Sequence, residues 1–262
     1  EYPLCYWLEQ HGYDVTYSSK HDLLTPDRAL KCPVMLSQGH DEYWDLRQYH
    51  SVRRLIDDGV NVLFLAGNSV CGVTPYSSSS SGRADRVITR VGRYGGKKSL
   101  EISNRTRPAG SKLGPYPVED APDEAALMGA RNITPVNGGA DWIVAKSEHW
   151  MFEGTGMKNG DAIPGLVGWE FHGDPATFIP GLEIVAEGTA FSGGTRPVQW
   201  TATIYPGQKR NFVFNAATIW WAQALSSPPG HMLPWSHYNR PHGTDARVQR
   251  MMENLLRRAL KK

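Results

Sequence analysis

The sequence predicts an α/β fold, with a parallel-sheet core in its first part, a β-rich C-terminal half and long loop insertions. Three observations carry that expectation. Two short apolar runs, Pro33 to Ser37 and Val60 to Ala66, have the length and flanks of buried strands. Between them a helical period places Tyr49, Val52, Leu55 and Ile56 on one face and stops at Gly59, a natural residue just past a helix end. Strand, helix and strand in that order make a βαβ unit, which requires parallel pairing. From Asp141 onward, short alternating segments replace the helical spacing.

The elements follow in order. Pro3 suits the first turn of a short amphipathic helix that Gly12 ends, which puts Tyr2 at its N-cap. A strand ahead of Glu1 is expected to be missing or supplied by another segment. Tyr13 to Tyr17 alternates like a strand, and Leu23 to Leu30 reads as a short helix. After the βαβ unit, residues 72–123 are rich in Ser, Gly, Arg and Pro and form a long excursion with one short segment, Ser99 to Ile102. Trp142 to Ala145 and Leu182 to Ala186 read as strands, and Val198 to Tyr205 with Asn211 to Ala216 as a hairpin around Pro206-Gly207. Trp220 to Leu225 looks helical, and a closing helix carries Val248, Met251, Met252, Leu255 and Ala259 on one face. No internal repeat or strong linker divides the chain, so residues 1–262 are read as one domain.

Composition narrows the function. The 262 residues are 40% hydrophobic and 21% charged, which is ordinary for a globular domain and excludes a fibrous or disordered chain. A net charge of +2 demands neither nucleic acid nor an anionic membrane as partner. The basic cluster Arg257-Arg258 and Lys261-Lys262 reads as cations at a helix C-terminus. Cys5, Cys32 and Cys71 are an odd number without zinc spacing, which points to reduced thiols and a cytoplasmic protein. No apolar run reaches the eighteen or so residues that a membrane span needs.

The chemistry concentrates in two stretches. Gln38-Gly39-His40-Asp41-Glu42-Tyr43-Trp44 occupies the turn after the first strand, at the carboxyl edge where ligands bind in open α/β sheets. Its bland reading is a helix cap, but a cap needs one such residue and this turn supplies five ionisable or aromatic ones. With right-handed crossovers, Tyr2, Tyr43 and Asn68 emerge on one rim. The second stretch runs from Lys146 through Glu148-His149-Trp150 to Asp161, followed by Gly168-Trp169-Glu170-Phe171-His172-Gly173-Asp174. Carboxylates and histidines among Trp and Phe are candidates for shifted pKa values. Gly154-Thr155-Gly156 reads as a turn, since it does not open a phosphate-binding loop. Zinc motifs are absent. Gly67-Asn68-Ser69 offers no Cys nucleophile, because Cys71 is displaced, and Ser69 lacks the Gly-x-Ser-x-Gly elbow.

Tyr2-Pro3-Leu4, Trp7-Leu8-Glu9, Gly12-Tyr13-Asp14-Val15, Gly39-His40-Asp41-Glu42-Tyr43-Trp44 and Gly67-Asn68 resemble the C-terminal region of the N,N-dimethylformamidase large subunit. So do Glu148-His149-Trp150, Gly154-Thr155-Gly156, Gly160-Asp161, Gly168-Trp169-Glu170 and Val213-Phe214-Asn215 with Thr218-Ile219-Trp220. The resemblance spans nearly the whole chain. It implies a glutamine-amidotransferase-like, flavodoxin-like core that has lost its Cys, and a mononuclear iron, Fe3+, at a site that hydrolyses a small amide. The metal ligands it implies are Tyr43, Tyr2 (with Tyr6 behind it) and Glu101 (with Glu124 behind it). Glu170, His149 and His40 are the acid–base residues it implies. Phenolate and carboxylate are hard donors that suit a ferric ion. Ionising a tyrosine at pH 7 costs roughly 4 kcal/mol, so a site with two phenolates needs a highly charged cation. The implied partner is a small amide, with a homo-oligomer or a partner subunit left open. The rival reading is a non-catalytic or carbohydrate-binding module that stacks sugars on Trp44, Trp150 and Trp169; a third is a metal-independent hydrolase using Glu170 and His149.

Overall fold

In the computed structural model, the described residues are 1–25, 31–95, 121–133, 138–192 and 196–261. Helix α1 (Tyr2–Gln10) leads through a 3-10 turn at Asp22–Leu24 into strand β1 (Val34–Gly39), then β2 (Tyr43–Trp44), helix α2 (Leu46–Asp57) and β3 (Asn61–Ala66). Four two-residue strands follow, β4 (Gly72–Val73), β5 (Tyr76–Ser77), β6 (Val87–Ile88) and β7 (Gly92–Arg93). After the short helix Ala125–Met128 come β8 (Ala130–Asn132), β9 (Ala140–Ile143), β10 (Ala162–Val167) and β11 (His172–Pro175). The long pair β12 (Glu183–Ser192) and β13 (Arg196–Pro206), then β14 (Phe212–Asn215) and the closing helix Ala246–Leu260, complete the chain.

The central sheet has the order β1-β3-β14-β13-β12. β1 and β14 flank β3 in parallel, whereas β13 pairs antiparallel with both of its neighbours, β14 and β12. This corrects the expected fold class: the protein is β-rich with small mixed sheets around one five-stranded mixed sheet, and it is not a parallel flavodoxin-like or glutamine-amidotransferase-like α/β core. The β1–α2–β3 crossover exists as its periodicity required. A single βαβ unit does not force the rest, however, and the path from β3 back to its parallel neighbour β14 runs through residues 67–211, most of whose described elements are short antiparallel pairs.

The strand β3 shows why both sides of the sheet must be covered. All six of its residues are buried. Val62 and Phe64 face a cluster with Val52 and Ile56 of α2, while Leu63 and Leu65 face a larger cluster with α1, the closing helix and the tryptophans Trp142, Trp200 and Trp221. Trp142 stacks on Trp200 at 6.3 Å and meets Trp221 edge-on at 5.8 Å, so their ring packing adds to the area they bury. α2 starts at Asp45, whose side chain accepts from the Arg47 N–H at 2.8 Å, and Gly59 (φ 98°) ends it as expected.

Several local expectations change. Residues 13–17 form no strand, and Leu23 belongs to a 3-10 turn, with 26–30 outside the described residues. The hairpin and the closing helix form as expected, but Trp221–Ala224 is a 3-10 turn. Ser99 to Ile102 lies outside the described residues. The three cysteines are free thiols. Among the described residues no helix is long and apolar enough to cross a membrane.

Asn61 ties three elements together. Its amide nitrogen donates to the carbonyls of Pro33 (3.0 Å) and Ala259 (3.1 Å), and its oxygen accepts from the Phe212 N–H at 3.0 Å. Replacing it by alanine takes the side-chain partner from two buried backbone groups, Ala259 O and the Phe212 N–H, while Pro33 O keeps the Asn61 backbone N–H. Asn61→Ala is therefore expected to lower the unfolding free energy by about 2–4 kcal/mol, read as a lower urea midpoint at unchanged slope.

Candidate functional site

β1 ends at Gly39, whose φ of 64° favours glycine, and the chain turns through His40, Asp41 and Glu42 into β2. That turn is knitted to the segment after β3. The Val70 N–H donates to Asp41 O at 3.2 Å, and the Cys71 and Gly72 N–H groups both donate to Glu42 O at 2.9 Å. Asp41 is occupied structurally, accepting from Ser37 Oγ (2.6 Å) and Trp44 Nε1 (2.9 Å) and pairing with Lys20 at 3.0 Å. Glu42 and His40 are left to face the other way.

What they face is Glu170. It sits between Trp169 and the fully buried Phe171, on the segment that runs into β11. Gly67 lies against it so closely that a Cβ there would stand 2.1 Å from the Glu170 carbonyl oxygen. Only glycine permits this approach, which brings the end of β3 onto Glu170. His40 Nε2 lies 3.3 Å from Glu42 Oε2 and 3.7 Å from Glu170 Oε1, and one donor atom from each of the three falls within 4.8 Å of the others. The Asn68 side chain interacts with the Glu170 carboxyl, whose Oε2 is buried without a hydrogen-bond partner among the described residues. Arg90 Nη2 stands 3.3 Å from Glu42 Oε1 and its guanidinium lies 5.3 Å from the centre of the Tyr43 ring. The Tyr43 phenol interacts with the Glu42 carboxylate.

The charges at this centre are uneven. Burial pushes Glu170 up to about 8. Burial also works against Glu42, but the His40 hydrogen bond, the Arg90 charge and the Tyr43 phenol outweigh it and hold that carboxyl below its usual range. The bond to Glu42 raises His40 despite the desolvation of its ring, and the Glu170 charge adds to the rise. Burial and the Glu42 carboxylate raise the Tyr43 phenol. Two carboxyl groups sharing one buried space have thus separated into one ionised and one protonated group.

The sequence-predicted candidates divide between several places. His40, Tyr43 and Glu170 come together. Tyr2 is more than half exposed, and its ring neighbours are Tyr6 (6.1 Å) and His231 (6.3 Å); the adjoining Glu1 side chain packs over Gly39 beside the site. Glu101 lies outside the described residues. Glu124 is buried elsewhere, accepting from the Asn132 N–H at 3.1 Å, and burial pushes it up to about 7. His149 caps the 3-10 turn Trp150–Phe152, with the Met151 N–H 3.3 Å from its Nδ1, and burial lowers its pKa. Of the proposed sugar-stacking rings, Trp44 is fully buried, whereas Trp169 is half-buried and stacks on His237 at 4.0 Å. Glu42 lay inside the first stretch, but nothing in the sequence separated it from Asp41. Arg90 and Lys20 come from segments with no pattern to mark them.

The Glu170 shift has a thermodynamic consequence in chelator-treated protein. Its pKa rises from the usual 4.5 to about 8, so between those values the folded chain holds a proton that the unfolded chain has released. Stability therefore falls as pH rises through that window. Glu170→Gln removes the effect. The variant is expected to match wild type near pH 5 and to exceed it by on the order of 3 kcal/mol at pH 9, measured by urea unfolding in EDTA. An equal difference at both pH values would contradict the assignment.

Among curated proteins none matches the chain. The sequence profile of one family, described as N,N-dimethylformamidase beta subunit-like, C-terminal, matches residues 1–239, which include every residue of the centre around His40, Glu42, Tyr43 and Glu170. The chain belongs to the N,N-dimethylformamidase beta subunit-like C-terminal family.

Proposed function

We propose that this domain is an iron-dependent hydrolase of a small amide, with its centre at Glu42, Glu170, Tyr43 and His40. The observation that carries the reading is the approach of two buried carboxyl groups to one histidine nitrogen, with one carboxyl oxygen lacking a hydrogen-bond partner among the described residues. A metal-free protein gains nothing from burying a second carboxyl beside the first. The family description supports amides as the substrate class.

The residues suit a hard cation. The carboxylates of Glu42 and Glu170 and the phenol of Tyr43 are oxygen donors of the kind ferric iron prefers. A cation would also favour the ionised forms of Glu170 and Tyr43, which burial otherwise opposes. In this reading Glu170 takes the place that the sequence resemblance gave to Glu101. Iron there supplies Lewis acidity, polarising an amide carbonyl and making water a better nucleophile.

The chain supplies the rest. Asn68 and the Gly67 contact hold Glu170 in place, and Arg90 keeps Glu42 ionised. His40, with an exposed ring edge and its Nε2 between the two carboxyls, is the group placed to move protons. It takes a proton from the attacking water as oxygen bonds to the carbonyl carbon. It returns that proton to the amide nitrogen as the C–N bond breaks, leaving a carboxylic acid and an amine. The half-buried Trp169, 6.4 Å from the His40 ring, borders the same space with an apolar surface for the substrate's alkyl groups.

Purified protein is expected to carry about one iron per chain with a visible phenolate charge-transfer band, and to release dimethylamine from N,N-dimethylformamide. Tyr43→Phe should abolish the band and lower turnover by at least about a hundredfold, on the scale of losing one electrostatic contact to the reacting group. Iron and band retained in that variant would contradict the role given to Tyr43.

A further inference from the structure

Behind Glu170, His172 is fully buried, and its hydrogen bonds among the described residues go to Ser69 and Asn215 rather than to the centre. Its hydrogen bonds define it closely. Asn215 Oδ1 accepts from the Ala217 N–H at 2.9 Å, which fixes that atom as an acceptor. His172 Nδ1 lies 2.6 Å from the same oxygen and must therefore carry the ring proton. The other nitrogen, Nε2, is then an acceptor, and the Ser69 N–H donates to it at 3.0 Å. The tautomer follows from the chain of donors and acceptors alone.

Ser69 is the middle residue of a strained turn. Asn68 and Val70 on either side both have φ of 53°, in the left-handed region that a β-branched residue such as Val rarely enters. The turn persists because its polar groups are held: Val70 N–H by Asp41, Val70 O by the Asn132 amide at 3.1 Å, and Ser69 N–H by His172. The turn follows Gly67, which packs against the Glu170 backbone, and it carries the Asn68 side chain that interacts with the Glu170 carboxyl.

We propose that His172 is a positioning residue: locked by Asn215, it holds the Asn68–Val70 turn through the Ser69 N–H and so sets the Asn68 amide on Glu170. This rests on the reading of Glu170 as part of the reactive centre. It explains why a histidine lies buried two residues beyond that carboxyl, where a hydrocarbon side chain would pack as well but could not accept a hydrogen bond.

Two variants separate positioning from packing. A glutamine reaches as far as Nε2 and can accept from Ser69, whereas an asparagine reaches only as far as Nδ1. His172→Asn is expected to lose Ser69 amide protection in hydrogen exchange by at least tenfold, to lose most of its iron on dialysis against EDTA, and to lower kcat at least tenfold with KM changed less. His172→Gln is expected to restore all three to within about threefold of wild type. His172→Asn with an unprotected Ser69 amide but wild-type iron retention and kcat would overturn the proposal, and so would a Ser69 amide that stays protected in that variant. If both variants fail to fold, the wild-type tautomer decides: two-bond 1H–15N spectra of histidine-labelled protein must show His172 protonated at Nδ1 only, and any other form overturns the tie. Wild-type protein that takes up no iron would instead overturn the proposed function, while exchange and tautomer still judge the His172–Ser69 bond.

Discussion

Two carboxyl groups placed around one histidine nitrogen in a buried space are the constraint on which this molecule turns. Glu42 and Glu170 cannot both ionise there without a compensating positive charge. The chain alone eases the conflict by pushing Glu170 up to about 8, where it holds its proton, and by raising His40 through its bond to Glu42. A hydrolytic centre resolves it with a cation, and the same unfavourable burial then becomes the affinity for that cation. In the proposed function a proton and a cation would compete for the same oxygens, so the proposal follows from electrostatics rather than from a motif alone.

The scaffold is arranged to make the conflict unavoidable. β1 and β3 are parallel neighbours, so the turns after Gly39 and Ala66 leave the sheet on the same edge. The backbone hydrogen bonds from residues 70–72 to Asp41 and Glu42 fasten those turns together. Glu170 arrives from a separate antiparallel unit and is received by Gly67, where any side chain would block it. The Asn215–His172–Ser69 chain lies beneath, joining β14, the start of β11 and the turn after β3. Three segments far apart in sequence are thereby held to one another by groups that have no freedom left.

The sequence was most legible where a short period repeats against a known partner. The β1–α2–β3 unit, the hairpin of β13 and β14 and the closing helix could be read because apolar residues at fixed spacing leave one arrangement. His40, Tyr43 and Glu170 could be picked out because ionisable groups between aromatic ones are unusual in a purely structural turn. The parallel core did not extend as expected, since one βαβ unit says nothing about the antiparallel strands that complete a mixed sheet. Arg90 and Lys20 left no trace in the sequence, because long-range ion pairs depend on where irregular segments return. The roles of Asp41 and Glu42 could not be separated either: adjacent carboxylates differ only in which way the turn points them, and that is decided by Ser37, Trp44 and Lys20. His149, strongly marked by its neighbours in sequence, serves a cap in a different part of the fold.

The central claim is that one cation is shared by these carboxyl oxygens. Crystals of protein purified with its own metal, measured above and below the iron absorption edge, test it most directly. The account predicts a single anomalous peak in the space bounded by Glu42, Glu170 and the Tyr43 phenol. An absent peak, or one that lies away from Glu170, would contradict it.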